Sequence, residues 1–425
     1  MNKMFAVLVY WLKPGIGIKR WCVLFGLGVA ILSVTIAFVI VEYYQFVSNV
    51  SDEYAKVLPV WILVILLVVV SMTMVLYSVA KISREIVGSI SSSGRTVASE
   101  VAERRRKRRG PRIVVIGGGT GMSTLLQGLK KYTSNITAII TVADDGGSSG
   151  RLRRELGVLP PGDLRNCIIA LADDEALLTQ LFKYRFGEGD EISGHSFGNL
   201  FITAMTEVTG SFERALAVSG QVLAIGGEVL PSTLEDVILT ADVREYVGAN
   251  AYRVVGESAI PEKIGSIERI ELNPPDAPAN PRALQAILKA ELIVLGPGSL
   301  FTSVVPNLLI RDISAAIQNS RGLKIYVSNL ATQRGETDGF SLSMHAQIID
   351  KYANETFAMV LCNNCHSGDL LPDMEWVMID TDLTNEWDVH SYDLIDETCP
   401  WRHDSNKLAS VLLKLLREHT NIAVL

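Results

Sequence analysis

Cysteine is scarce in this chain of 425 residues: there are five, too few for a disulfide framework, and a reducing compartment is the expectation. A cationic excess is missing too. The 39 lysines and arginines stand against 46 aspartates and glutamates, a net charge of −7, which argues against general nucleic-acid binding. Charged residues make up 20% and apolar residues 48%, which argues against disorder. No G-x-x-x-x-G-K-[ST] run occurs, hence no Walker loop, and where the third glycine of G-x-G-x-x-G would follow Gly117 and Gly119 the chain has Met122. No Ser-His-Asp or Cys-His set with interpretable spacing marks a nucleophile, so the catalytic residues stay unknown.

Two uncharged apolar runs stand near the amino terminus, Trp21 to Val41 and Pro59 to Ala80. Each holds about 21 residues, enough to cross a hydrocarbon layer of roughly 30 Å as a helix. A signal peptide would have a shorter apolar stretch and a small-residue cleavage site, whereas the first run ends in Val41-Glu42-Tyr43-Tyr44. Lys3, Lys13, Lys19 and Arg20 precede the first run, and Lys81, Arg84, Arg95 and the block Arg104 to Arg109 follow the second. The loop between them holds only Lys56 against Glu42, Asp52 and Glu53. The positive-inside tendency then makes residues 1–85 a hairpin with both ends in the cytoplasm, a multi-pass membrane protein whose main domain is cytoplasmic. Residues 86–111 lack a helical or strand period that would bury a face and read as a basic linker. Beside a membrane helix its cationic block pairs with anionic lipid more simply than with nucleic acid.

From Ile113 the signal is a nucleotide site. Four β-branched residues, Ile113 to Ile116, run into Gly117-Gly118-Gly119-Thr120-Gly121, and Leu125, Leu126 and Leu129 follow at helical spacing. Such a strand, turn and helix presents bare N–H groups and a positive helix end at the top of a parallel sheet, where a phosphate needs no side chain. A purely conformational glycine turn is the competing reading. A second strand, Ile136 to Ala143, ends in Asp144-Asp145-Gly146-Gly147, about 25 residues on, where dinucleotide folds place an acid on ribose hydroxyls. The same two carboxylates suit magnesium equally well. Ser149 and Arg151 follow, hydroxyl and guanidinium groups suited to phosphate. In Pro160-Pro161-Gly162-Asp163-Leu164-Arg165-Asn166, Asp163 is placed to cap a helix running to Leu171. His195 stands in Gly194-His195-Ser196-Phe197-Gly198-Asn199, before another apolar helix, as a structural hydrogen-bond partner or a ligand contact.

Residues 227–281 turn to short β-rich pieces and read as an inserted subdomain. The parallel pattern then resumes. Glu291 to Leu295 enters Gly296-Pro297-Gly298-Ser299, and Lys324 to Val327 enters a loop with Asn329 and Thr332. Ala358 to Leu361 and Trp376 to Ile379 look like later strands, and Arg402-His403-Asp404 leads into a final helix. Loops after parallel strands gather at the carboxyl edge of the sheet, where open α/β folds bind ligands. The expected fold for 112–425 is therefore α/β, a Rossmann-like doubly wound and mostly parallel sheet with a small β-rich insertion, preceded by two transmembrane helices. Cys362-Asn363-Asn364-Cys365-His366 is formally a haem-attachment pattern or half a zinc site, with Cys399 and His403 the nearby additions. Haem is attached outside the cytoplasm, so free thiols are expected.

In order along the chain, GGGTG, ADDGGSSGRLR, PGDLRN, KYRF, GHSFGNL, LGPGSLFTSVVPNLL, NLATQRGET and RHD resemble the YvcK/CofD-like family over roughly residues 112 to 418. The chain is closer to the YvcK, or gluconeogenesis factor, branch than to the CofD transferases. The resemblance implies a Rossmann-like fold and, for the YvcK branch, binding of a UDP-sugar in support of cell shape and envelope synthesis. For the CofD branch it implies magnesium-dependent transfer of a phospholactyl group from an activated nucleotide. It also implies that Gly117, Gly118, Gly119, Thr120, Gly121, Asp144, Asp145, Asn199, Gly298, Ser299 and Arg402 line the ligand site. Gly146, Ser149, Arg151, Asp163, Asn166, His195, Asn329 and Thr332 join them from the reading of the loops. Magnesium is the one cofactor in view, held by Asp144 and Asp145. Two departures stand out: the membrane hairpin, and Ala331 and Arg334 where the family loop would read NLMTQPGET. The sequence leaves the exact nucleotide, turnover and homo-oligomerisation open.

The hairpin makes a direct prediction. With a single reactive cysteine introduced, an impermeant thiol reagent added to intact cells labels position 51 and spares position 92. The reverse pattern refutes the orientation.

Overall fold

The computed structural model describes residues 19–48, 54–88, 97–172, 176–187, 189, 192–246, 248–263, 265–380 and 387–420. The chain divides into two units, the second beginning at Arg104.

The first unit holds two long helices, Lys19–Ser48 and Tyr54–Gly88. Within them Trp21–Val41 and Val64–Ile82 are long and apolar enough to cross a membrane. Their apolar side chains point outward: Val23, Val34, Ile62 and Leu76 are among the most exposed hydrophobic residues of the chain. Such a surface is unfavourable in water and matched in hydrocarbon, where the closed helical backbone satisfies its own polar groups. Small and polar residues make the seam between the two helices. A Cβ on Gly28 would stand 3.3 Å from the Ser71 carbonyl oxygen. Trp21 packs edge-on against Tyr77 with ring centroids 5.5 Å apart, and the Lys81 ammonium lies over both rings. The buried hydroxyls of Thr35, Ser71 and Ser78 bond back to carbonyls of their own helices.

Part of the segment 86–111 read as a linker is helical, over Val97–Arg108, while 89–96 lie outside the described residues. Alanine, glutamate, arginine and lysine favour helix without any apolar stripe, and the cations of the last turn complement the helix dipole. A search for a buried face misses such a helix.

Among the described residues the second unit is built on seven parallel strands, the first three being β1 (Ile113–Gly117), β2 (Ile136–Ile140) and β3 (Glu228–Pro231), with four more after an interruption. The interruption is a separate antiparallel sheet of β4 (Ile238–Arg244), β5 (Tyr252–Val255) and β6 (Ser266–Asn273), in the order β5-β4-β6. The main sheet resumes with β7 (Leu292–Leu295), β8 (Leu323–Val327), β9 (Met359–Asn363) and β10 (Asp388–Tyr392). A small ribbon of β11 (Ile395–Asp396) and β12 (Cys399–His403) closes the set before the helix Ser405–His419. The order of the main sheet is β10-β9-β8-β7-β1-β2-β3, with every pairing parallel. Helices cover both faces, so β1, β7 and β9 are buried along their whole length and read as unbroken apolar runs.

This is the expected Rossmann-like sheet, with three differences in detail. The stretch 227–281 does not lie wholly outside the sheet, because β3 at its start pairs with β2 and the inserted sheet begins at β4. The second strand ends at Ile140 rather than Ala143; Val142 and Ala143 are buried without pairing as strand. Trp376 to Ile379 supplies a single bridge, Ala331 to Trp376, and no strand.

The chain runs outward from β1 through β2 to β3, then returns to the other side of β1 with β7. In open α/β sheets ligands bind at such a reversal, here above the carboxyl ends of β1 and β7. Below it the helix Gly119–Leu129 packs on the helix Ser405–His419, where Gly128 meets the start of the final helix and a Cβ would overlap the Ser405 carbonyl oxygen. Gly128→Ala should cost about 1–3 kcal/mol through overpacking. Urea unfolding of the full chain checks this, with Gly187→Ala, where nothing lies within 4 Å of the added carbon, as the silent comparison.

Candidate functional site

The loops after β1 and β7 meet backbone to backbone at the reversal. A Cβ on Gly121 would stand 2.9 Å from the Pro297 carbonyl oxygen, and one on Gly298 would stand 2.9 Å from that of Gly118. Glycine is needed at these places for the approach of two backbones, and at Gly119 for a φ of +69°. The amide of Gly119 is not bare: it donates to Asp163 Oδ2 at 2.7 Å. Asp163 therefore does not cap its own helix, Gly162–Leu171, as its position in the sequence suggested. That cap is Pro161, and Asp163 sits in the first turn and reaches across to the neighbouring helix. Thr120 is exposed at the mouth of the turn.

Carboxylates dominate this crevice. Asp144 accepts from the Gly146 amide at 2.9 Å and is further supported by the Ser149 hydroxyl. Burial pushes its pKa up even so, and Asp145 adds to the rise. Asp163 is also pushed up by burial, opposed by the Gly119 amide and reinforced by Asp144. Asp145 turns to the inserted sheet, where its Oδ1 accepts from the Ser258 amide at 2.9 Å. The insertion sends in a further acid, Glu257, which burial and then Asp144, Glu336, Asp145 and Asp163 push up to about 8. Glu336 itself is buried against the π-helical turn Leu300–Val304, accepting from the Phe301 amide (3.1 Å) and the Thr302 hydroxyl (2.9 Å). Neither Glu257 nor Glu336 was singled out from the sequence. Glu257 lies in a β-rich piece distant along the chain, and only the folding of the insertion onto the Asp144-Asp145 turn brings it here.

A buried guanidinium, that of Arg165, faces these acids. Arg165 donates to Asn199 Oδ1 (2.7 Å), to Asn166 Oδ1 (2.8 Å) and to the Ser196 hydroxyl. Burial and Arg185 lower its pKa to about 10, opposed by Asp163 and Asp144. Asn199 passes the chain on, its amide donating to Ser148 Oγ at 3.0 Å, and Ser148 stands 2.9 Å from His195 Nδ1. Burial and Arg151 hold His195 toward its neutral form, and its Nδ1 shares a hydrogen bond with the Ser148 hydroxyl. Thus Asn166, Asn199 and His195 join one network, through Arg165 and Ser148.

The remaining expected residues have other partners. Arg151 donates to the Ser193 carbonyl at 2.6 Å, holding the loop before His195. Asn329 accepts from the Gly298 amide (3.3 Å), and Gln333 donates to Ser299 Oγ (3.0 Å), tying the loops after β7 and β8 together. Thr332 uses its hydroxyl to accept from the Glu375 amide. His403, buried and lowered to about 4, bonds to the Ser328 backbone and brings β12 to the end of β8; Arg402 beside it is exposed. Of the two family departures, Ala331 is buried at the bridge to Trp376, and Arg334 forms an exposed ion pair with Asp373 at 3.0 Å. All five cysteines are free thiols. Cys362 is buried with its pKa raised to about 12, and His366 packs edge-on against Trp376.

The family described as 2-phospho-L-lactate transferase CofD matches residues 113–421. The chain belongs to the CofD family. A relative from Nostoc sp. is 45% identical over 95% of this chain and 91% of its own length, so the likeness extends into the N-terminal helices. The gluconeogenesis factor of Bacillus subtilis is 40% identical and covers 72% of this chain and 99% of itself, and that of Halalkalibacterium halodurans is 50% identical over 56% of this chain. A crystal structure of a Bacillus halodurans protein superposes with a TM-score of 0.68 at 41% identity, covering 72% of this chain and 99% of that one. Relatives of this CofD-family chain thus carry the gluconeogenesis factor name.

The raised pKa of Glu257 has a measurable sign. The folded state holds its proton up to about pH 8 and the unfolded state only to 4.5, so stability falls as pH rises between those values. Glu257→Gln removes this dependence. Its stability should gain on that of the unsubstituted chain between pH 6 and pH 9, by an amount on the order of a few kcal/mol, read as a rising difference in melting temperature; a constant difference across that range would show that Glu257 ionises freely.

Proposed function

We propose that this chain is a membrane-tethered, cytoplasmic regulatory factor that binds a nucleotide-sugar of the UDP-sugar class and supports cell shape and envelope precursor supply. The observation that carries this reading is the convergence of the turns after β1, β2 and β7 with Asp144, Asp163 and the Arg165 network at the strand reversal. Carboxylates there suit ribose and sugar hydroxyls, and a buried guanidinium beside helix ends suits phosphates. The gluconeogenesis factor name of relatives supports a regulatory role. The two apolar helices support the tether, and their basic flanks support the cytoplasmic side and attraction to anionic lipid at Arg104 to Arg109.

A second reading, a magnesium-dependent transferase of the CofD type, is favoured by the acids themselves. Asp144 disfavours the ionisation of Asp163, and both disfavour that of Glu257, so these acids concentrate negative charge that a cation would offset. Bound there with Asp145 nearby, magnesium would neutralise charge on the phosphates of a leaving nucleotide. In that reading the chain's own residues divide the work: Arg165 holds phosphate charge, Asn199 and Ser148 orient His195, and the β4–β6 insertion excludes water.

The deciding experiment is calorimetric titration of the full chain in detergent with UDP-sugars, with and without magnesium, followed by analysis of the nucleotide recovered. The first reading expects binding and an intact ligand. Release of free nucleotide coupled to group transfer favours the second. Asp144→Asn combined with Asp145→Asn should weaken binding by a few kcal/mol, on the order of one or two charged hydrogen bonds, and abolish any magnesium dependence. Unchanged affinity with a collapsed melting temperature would make the pair structural and the site wrong.

A further inference from the structure

Among the described residues β10 is the outermost strand of the main sheet, paired only to β9. Asp388 and His390 are two residues apart on it and so project from the same face. The last turn of the helix Ser405–His419 brings His419 against them. One ligand atom from each of the three lies within 4.8 Å of the other two. His390 Nε2 is 3.1 Å from Asp388 Oδ2, yet this solvent-inaccessible nitrogen has no hydrogen bond of acceptable geometry. The ring of His419 stands at 88° to that of His390, centroids 5.6 Å apart.

We propose that Asp388, His390 and His419 form a binding site for a zinc-class divalent cation, distinct from the crevice above β1 and β7. Two imidazole nitrogens and one carboxylate oxygen are the donor set that zinc and its neighbours in the first transition row select, and that magnesium and calcium do not. In a tetrahedral site with bonds of about 2.0 Å, neighbouring ligand atoms are about 3.3 Å apart, so the contact between His390 and Asp388 already has the span of one edge. A shared ion accounts for two groups that touch without an aligned hydrogen bond. The backbone is fixed in advance: the Asp388 amide donates to the Ala358 carbonyl at 2.8 Å, and Cys362 Sγ donates to the His390 carbonyl at 3.6 Å. His419 lies at a helix carboxyl end, where the dipole favours a cation. The ion clips the final helix to the open edge of the sheet and keeps a fourth position for water or a donor from a partner. An ion pair between protonated His390 and Asp388 is the competing arrangement, and it leaves His419 without a part.

The test uses the full chain in detergent, stripped of metal with a chelator and titrated with zinc chloride beside His390→Ala and His419→Ala. One zinc ion per chain is expected, with affinity reduced at least tenfold in each variant. Melting each protein with and without zinc separates loss of binding from loss of fold, because the zinc-dependent rise disappears in the variants whatever their starting temperature. Cobalt substitution should give a tetrahedral nitrogen and oxygen spectrum without thiolate charge-transfer bands. Absence of zinc binding, affinity unchanged in both variants, or a thiolate band that places the ion on Cys362, Cys365 or Cys399 overturns the proposal.

Discussion

A carboxylate held among other carboxylates survives only where donors meet it, and the crevice above β1 and β7 is arranged around that constraint. Asp163 takes the Gly119 amide, Asp144 the Gly146 amide, Asp145 the Ser258 amide, and Glu336 the Phe301 amide and Thr302 hydroxyl. Each donor is a backbone group at a turn or a helix start, or a hydroxyl beside one. The positions of these acids therefore fix how the strand ends, the glycine turn and the inserted sheet approach one another. Arg165 supplies the opposing charge from within the same layer, and its hydrogen bonds carry the order on to Asn199, Ser148 and His195.

The glycine turn serves this arrangement in a way that merges its two readings. Its missing side chains let the loops after β1 and β7 lie against each other, which is a conformational demand. The same closeness brings the helix end within reach of the acids. A phosphate arriving at the Gly119 amide meets Asp163 there, and the two anions cannot share the donor without a cation or a shift of the carboxylate.

Much of the fold was legible because the parallel strands are buried on both faces. Ile113 to Ile116, Glu291 to Leu295 and Lys324 to Val327 announce themselves as apolar runs ending in glycine- or asparagine-rich loops. The helix Val97–Arg108 was not, since it buries no stripe, and β3 was assigned to the insertion because Gly226-Gly227 before it and Pro231 in it look like turn punctuation. For the candidate site, local motifs pointed to Asp144, Asp145, Asp163 and His195, whose neighbours in sequence are unusual, and the family resemblance to Asn199. They did not give Glu257, whose surroundings resemble any short exposed strand, nor the reach of Asp163 to Gly119 across 44 residues. Contacts between elements distant in sequence leave no trace in local pattern.

The inserted sheet is more than a cover, because one of its side chains is an acid that burial keeps protonated at neutral pH. Lifting the β4–β6 sheet away from the Asp144-Asp145 turn returns Glu257 to water and to its ordinary acidity. Such an opening would release a proton and its reversal would take one up, so raising the pH would favour it.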